Sequence, residues 1–179
     1  MTDIFDDIEA LEKIAVNLFY GWGYNVYRLE NQLRADDLAV RSKVGWLLGQ
    51  AREQIDKAES EWRRAFPPPT REKPLPDPAA SEGARKLEDI SRKIGALEGQ
   101  IRTAPAPEAE RMTNRYRREG DTLQALLQCD LTLIGRAETL RALVEDADGA
   151  ALLARAGEID SGCKSIARNL RERQSLLHV

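Results

Sequence analysis

Leu87-Glu88-Asp89-Ile90-Ser91-Arg92-Lys93-Ile94-Gly95-Ala96-Leu97-Glu98-Gly99-Gln100-Ile101 decides the fold. Its apolar residues fall at steps of three and four. Leu87, Ile90, Ile94, Leu97 and Ile101 therefore share one stripe of an α-helix, and charged residues take the other side. The period-two alternation of a half-buried strand is absent here and in the rest of the chain. A three–four stripe must be covered by other helices, and shallow antiparallel packing is the arrangement it favours.

The same rhythm recurs on both sides. A first helix is expected from about Asp3 to Tyr20, capped by Asp3 or Thr2, with Ile4, Ile8, Leu11, Ala15, Leu18 and Trp22 on its stripe. A second, about 25–66, carries Leu33, Val40, Val44, Leu47, Ala51, Ile55, Ala58 and Trp62. The quoted stretch lies in a third, with Ser81 as its N-cap. A fourth, about 108–147, uses Met112, Tyr116, Leu123, Leu126, Leu127, Ile134, Leu140 and Val144. A fifth follows the break Asp146-Ala147-Asp148-Gly149, with Leu152, Ala156, Ile159, Cys163, Ile166 and Leu170. The fold class is thus all-α: an antiparallel bundle of about five helices, the second and fourth long, with heptad-like packing.

Prolines mark the joints. Six of the eight lie between Pro67 and Pro78 and the other two are Pro105 and Pro107. Proline lacks the N–H and the φ freedom that a helix interior needs. Residues 1–66 read as an N-terminal helical hairpin, 67–80 as a Pro-rich connector, and 81–179 as three further helices of the same bundle domain. Docking of the 67–78 stretch in a proline-reading groove is the other reading, and a semi-rigid connector is the simpler one. The hairpin turns at Phe19-Tyr20-Gly21-Trp22-Gly23-Tyr24-Asn25-Val26-Tyr27, which holds five of the ten aromatic residues. Gly21 and Gly23 supply the backbone freedom of a corner, and the rings cap the bundle end or offer a contact surface.

Composition narrows the function classes. The chain has 179 residues, is 42% hydrophobic and carries a net charge of −3, where a domain built to grip nucleic acid is usually strongly basic. No apolar run reaches the length of a membrane span. The start of the chain has no basic segment ahead of an apolar one, so no signal peptide is expected. Cys129 and Cys163 are too few and too distant for a disulfide framework or a metal knuckle. They read as small buried hydrophobes in a reducing, cytoplasmic setting.

Catalytic constellations are missing. The single histidine, His178, leaves no partner for a Ser or Cys nucleophile and no Glu-x-x-His pairs for a di-iron bundle site. Neither glycine-rich phosphate-loop pattern occurs. The expectation is no catalytic residue, no metal, no cofactor and no small-molecule substrate. Asp130, inside Leu126-Leu127-Gln128-Cys129-Asp130-Leu131-Thr132-Leu133-Ile134, is the acid nearest the apolar stripe. It is either an acid of raised pKa, the start of a carboxylate-only site, or the partner of an Arg on a neighbouring helix; the second is the simpler reading.

Two surfaces remain as binding candidates. Trp46 lies on the second helix at about 200° from Val44, opposite the apolar stripe. Its neighbours there, Ala39, Ser42, Gly49 and Gln50, are small or uncharged, and a Trp so placed suits either a partner contact or cover by a further helix of the same chain. Gly45/Gly49 and Gly95/Gly99 each form G-x-x-x-G, a spacing that permits a second packing face within the chain or with a partner. Trp22 and Tyr24 of the corner join this partner-binding set. The alternative is a nucleic-acid backbone followed by Arg111, Arg115, Arg118, Arg168 and Arg171, with Tyr116 to stack a base. Neighbouring acids partly neutralise the first cluster, which favours a solvated face. The sequence thus points to a non-enzymatic interaction protein, an accessory or scaffolding subunit that self-associates or holds a protein partner, with no membrane role.

Overall fold

The computed structural model describes residues 3–20, 32–66, 70, 71, 75, 77–104 and 120–178. Its helices are α1 (Ile8–Tyr20), α2 (Gln32–Ala65), α3 (Pro78–Thr103), α4 (Gly120–Val144), α5 (Gly149–Ala154) and α6 (Ala156–His178). The expected all-α bundle is the observed fold. The starts expected for the two long helices, 25–31 and 108–119, lie outside the described residues, as does the corner from Gly21 to Tyr27.

Four helices close a ring in which α2 packs on α3 and α4, and α6 packs on the same two. Inside it, Val44, Leu47, Leu48, Ala51 and Ile55 of α2 meet Leu87, Ile94 and Ile101 of α3, Leu133, Ile134, Ala137 and Leu140 of α4, and Ile159 and Ile166 of α6. All five heptad residues of α3 are buried. Across the α2–α3 seam the pairs run in opposite chain order, which makes the two helices antiparallel. Arg63 bonds Glu88, Ser91 Oγ donates to Asp56 at 2.5 Å, and Arg52 meets Glu98 at 3.6 Å.

Three expectations are corrected. The first helix begins at Ile8 and not at Asp3, because aspartate side chains compete for the early N–H groups. Asp3 Oδ1 accepts from the Phe5 N–H and Asp7 Oδ1 from the Ala10 N–H, both at 3.1 Å, so residues 3–7 form a short strap and Asp7 caps the helix. The helical period consequently fails there: Ile4 and Ile8 are about half exposed, whereas Phe5 is fully buried. The third helix starts at Pro78 and not after Ser81. Asp77 Oδ1 accepts from the Ala79 N–H at 2.8 Å, and Pro78 sits where no N–H is needed. The helix thereby takes up the last three residues of the stretch read as connector.

The expected fifth helix is two, α5 and α6. Arg155 breaks the run, with φ −94° and ψ 8°. Before α5, Asp146 adopts a left-handed φ of 53° and Asp148 Oδ1 caps the helix through the Ala151 N–H at 2.8 Å. Short α5 touches α2, α3 and α6 and closes one end of the ring. There Trp62 is gripped. Its Nε1 donates to the Ala80 carbonyl at 3.1 Å. A Cβ on Gly83 would stand 2.5 Å from the indole, and one on Gly149 2.9 Å from its other edge.

Candidate functional site

Outside the ring, α2 presents a different surface. At about 100° per residue, Leu38, Ser42, Gly49 and Trp46 fall within about 80° of one another, opposite Val44, with Gly45 and Gln50 at the flanks. Trp46 is 48% exposed and Leu38 61% exposed; Ser42 and Gln50 are exposed too. Trp46 is held from one side by Lys43, whose Nζ lies 4.4 Å from the ring centroid. Such a cation–π contact is worth about 0.5–2 kcal/mol, more as the cation loses water. Burial holds the Lys43 ammonium below its usual pKa, while Glu138 of α4 opposes that shift and Arg141 adds to it. The chemistry on offer is a fixed, amphipathic aromatic surface.

The glycine pairs turn elsewhere. Gly45 and Gly49 face α3, where added Cβ atoms would lie 3.8 Å from Arg102 Nε and 3.9 Å from Glu98 Oε1. Gly95 faces Arg52 of α2 at 3.5 Å in the same sense, and a Cβ on Gly99 meets nothing within 4 Å. The space left by the glycines is covered by long side chains, with Arg102 paired to Glu98 at 2.6 Å. They therefore belong to the edge of the α2–α3 seam. Trp22 and Tyr24 lie outside the described residues.

Asp130 is settled by geometry. Arg173 of α6 grips it with two prongs, Nε to Oδ1 at 2.5 Å and Nη2 to Oδ2 at 3.4 Å, and both residues are buried. This is the cross-helix salt bridge that the sequence made the simpler reading. It starts a polar seam along the antiparallel α4–α6 pair. With the Asn169 amide turned so that both of its ends are satisfied, its nitrogen donates to the Cys129 carbonyl at 3.2 Å and its oxygen accepts from Arg136 Nη1 at 3.0 Å. Arg136 Nη1 also approaches the Ser165 carbonyl at 3.4 Å. Ser165 and Asn169 of α6 meet Arg136 of α4 and Arg173 meets Asp130, in opposite chain order, so a slip of one turn would leave buried charge unpaired.

Burial, with the nearby Asp130 charge second, pushes the Cys129 thiol up to about 12. Burial likewise lifts Cys163 to about 11, with Asp160 adding to the shift. Both stay protonated near neutral pH, the unreactive state of a cysteine. Among the described residues no group of three or more His, Cys, Asp or Glu side chains could hold a metal ion, and no helix is long and apolar enough to cross a membrane.

Of the arginines considered for nucleic acid, Arg111, Arg115 and Arg118 lie outside the described residues. Arg171 is exposed on α6. Arg168 is exposed too but meets Asp6 at 3.8 Å. On the same helix Lys164 pairs with Asp160 at 2.7 Å.

Sequence reading missed the buried cations Lys43 and Arg136, because helical angle alone places both near the edge of a stripe. Phe5 was missed because the strap is not helical; two aspartates flanking it, Asp3 and Asp7, were the available sign. No protein-family model, curated protein or solved structure matches this chain.

Proposed function

We propose that this protein is a non-enzymatic helical-bundle interaction protein, an accessory or scaffolding subunit whose partner docks on the outward face of α2. The observation that carries this reading is Trp46, half exposed on the side away from the core and held in place by Lys43. Tryptophan in a prepared position loses little entropy on binding, which is why it dominates many interfaces. Exposed Leu38, two turns earlier, extends the apolar contact, and Ser42 and Gln50 provide a polar margin. The all-α ring behind it supplies a rigid support.

The test is purification of the tagged protein from its host, with Trp46→Glu alongside. A stoichiometric protein partner, or a dimer seen by light scattering, that is lost in Trp46→Glu while the helical circular dichroism is unchanged is the expected result. A partner or oligomer that survives the substitution would overturn the assignment of this face. Salt-released nucleic acid in both eluates would replace the reading with the arginine-based one.

A further inference from the structure

The strap and α1 occupy a groove formed by α4 and α6, a surface separate from the Trp46 face. Phe5 fills a hole over Gly162 of α6, where an added Cβ would stand 2.6 Å from the ring. Farther along, the Leu11 backbone rests directly on Gly135 of α4, leaving no room for a side chain there. Leu11 and Ala15 complete the apolar contact, both fully buried. Between these points Arg136, itself buried, donates from Nε to the Phe5 carbonyl at 3.0 Å. The groove is thus shaped to one ligand: an amphipathic helix preceded by an aromatic residue in a non-helical turn.

The N-terminal end of the occupant is fastened by polar contacts near solvent: Ser161 Oγ donates to Asp3 Oδ2 at 2.5 Å, Arg136 and Arg168 approach Asp6 at 3.7 and 3.8 Å, and Ser165 Oγ reaches it at 3.5 Å. The Arg168–Asp6 pair, about half exposed on both sides, holds only weakly, and the Arg136–Asp6 pair joins a buried guanidinium to a half-exposed carboxylate at a long distance. The same segment leaves Ile4, Ile8 and Val16 exposed, apolar surface that the docked position does not use.

We propose that this groove is an exchangeable docking site, and that its occupant in trans is residues 3–18 of a second copy of the chain. A second copy brings the complementary chemistry on the page: acids for Arg136 and Arg168, an aromatic for Gly162 and a bare backbone for Gly135. Exchange conserves every contact of the groove, so its equilibrium depends on concentration and on how firmly the polar fastening holds.

Mixing two differently tagged full-length chains, one Asp3→Cys and the other Ser161→Cys, under mild oxidant tests this. The two side chains touch in the docked segment, so exchange brings the new thiols together between chains. A covalent heterodimer at least tenfold above that of a control pair, Asp3→Cys with Ser175→Cys, is expected. Ser175 lies on α6 about 21 Å away at 1.5 Å per residue. An excess of a peptide spanning residues 3–20 should reduce the heterodimer, since it fills the same groove. A heterodimer no more abundant than the control, or one indifferent to the peptide, would overturn the proposal.

Discussion

Helix α2 carries two tryptophans that the same chain treats in opposite ways. Trp62 points toward the ring, donates its N–H to Ala80 and lies between Gly83 and Gly149, with Phe66 tilted against it at 5.3 Å between centroids. Trp46, sixteen residues earlier and about 160° away around the helix, has a lysine on one side and solvent on the other. The residue type is therefore uninformative by itself. What separates the enclosed aromatic from the outward-facing one is that the chain supplies Trp62 with a hydrogen-bond acceptor for its N–H and glycines for its faces.

The largest expected effect falls on the gripped tryptophan. Trp62→Ala should cost about 3–5 kcal/mol in urea unfolding, since neither Gly83 nor Gly149 can fill the gap. A loss below about 1 kcal/mol would mean that the closed end does not hold α5 to α2 and α3. The core against which Trp62 packs also holds Cys163, and titration reaches it where substitution need not. Its folded pKa of about 11 lies above the 9.0 of an unfolded thiol. The stability from keeping this thiol neutral is complete below about pH 9 and lost as pH climbs through 11. At about 1.4 kcal/mol per pH unit this amounts to roughly 2–3 kcal/mol. Cys163→Ala should remove about half of that slope in unfolding free energies measured from pH 8 to 11, since Cys129, with a folded pKa of about 12, contributes over the same range; an unchanged slope would place its cause elsewhere.

Smaller changes sharpen the contrast between glycines that serve Trp62 and glycines that do not. Gly83→Ala puts a methyl into the indole and should cost about 1–3 kcal/mol. Gly99→Ala enters open space near the C-terminal end of α3 and should instead raise stability by up to about 1 kcal/mol. If both destabilised alike, the G-x-x-x-G spacing would regain a packing role that the distances do not show. Trp46→Ala should cost about 0.5–2 kcal/mol, the range of its contact with Lys43 and well below the loss expected at Trp62. Acrylamide quenching should separate the two rings in chains that keep only one tryptophan, with Trp46 quenched far more strongly than Trp62.

Much of this was legible in the chain. The stripes of α2, α3 and α4 gave the fold class, the Asp146–Gly149 break was where the turn occurs, and the angle of Trp46 already set it apart from the core. Legibility ended where local side chains overrode the helical period. Asp3 and Asp7 replaced the expected first turn of α1 by a strap, which exchanged Ile4 for Phe5 in the core. Asp77 with Pro78 started α3 ahead of Ser81 by the same kind of competition for backbone donors.

Periodicity by itself determined that this protein is a set of amphipathic helices, because burial of an apolar stripe needs only residues on the same face of one helix. Which helices meet was decided by tertiary structure alone. Arg173 finding Asp130, Leu11 resting on Gly135 and Trp62 entering between Gly83 and Gly149 each require groups far apart in sequence to fit at one distance. A helical period carries no information about that distance, since it describes directions around an axis and not the neighbour that the axis will face.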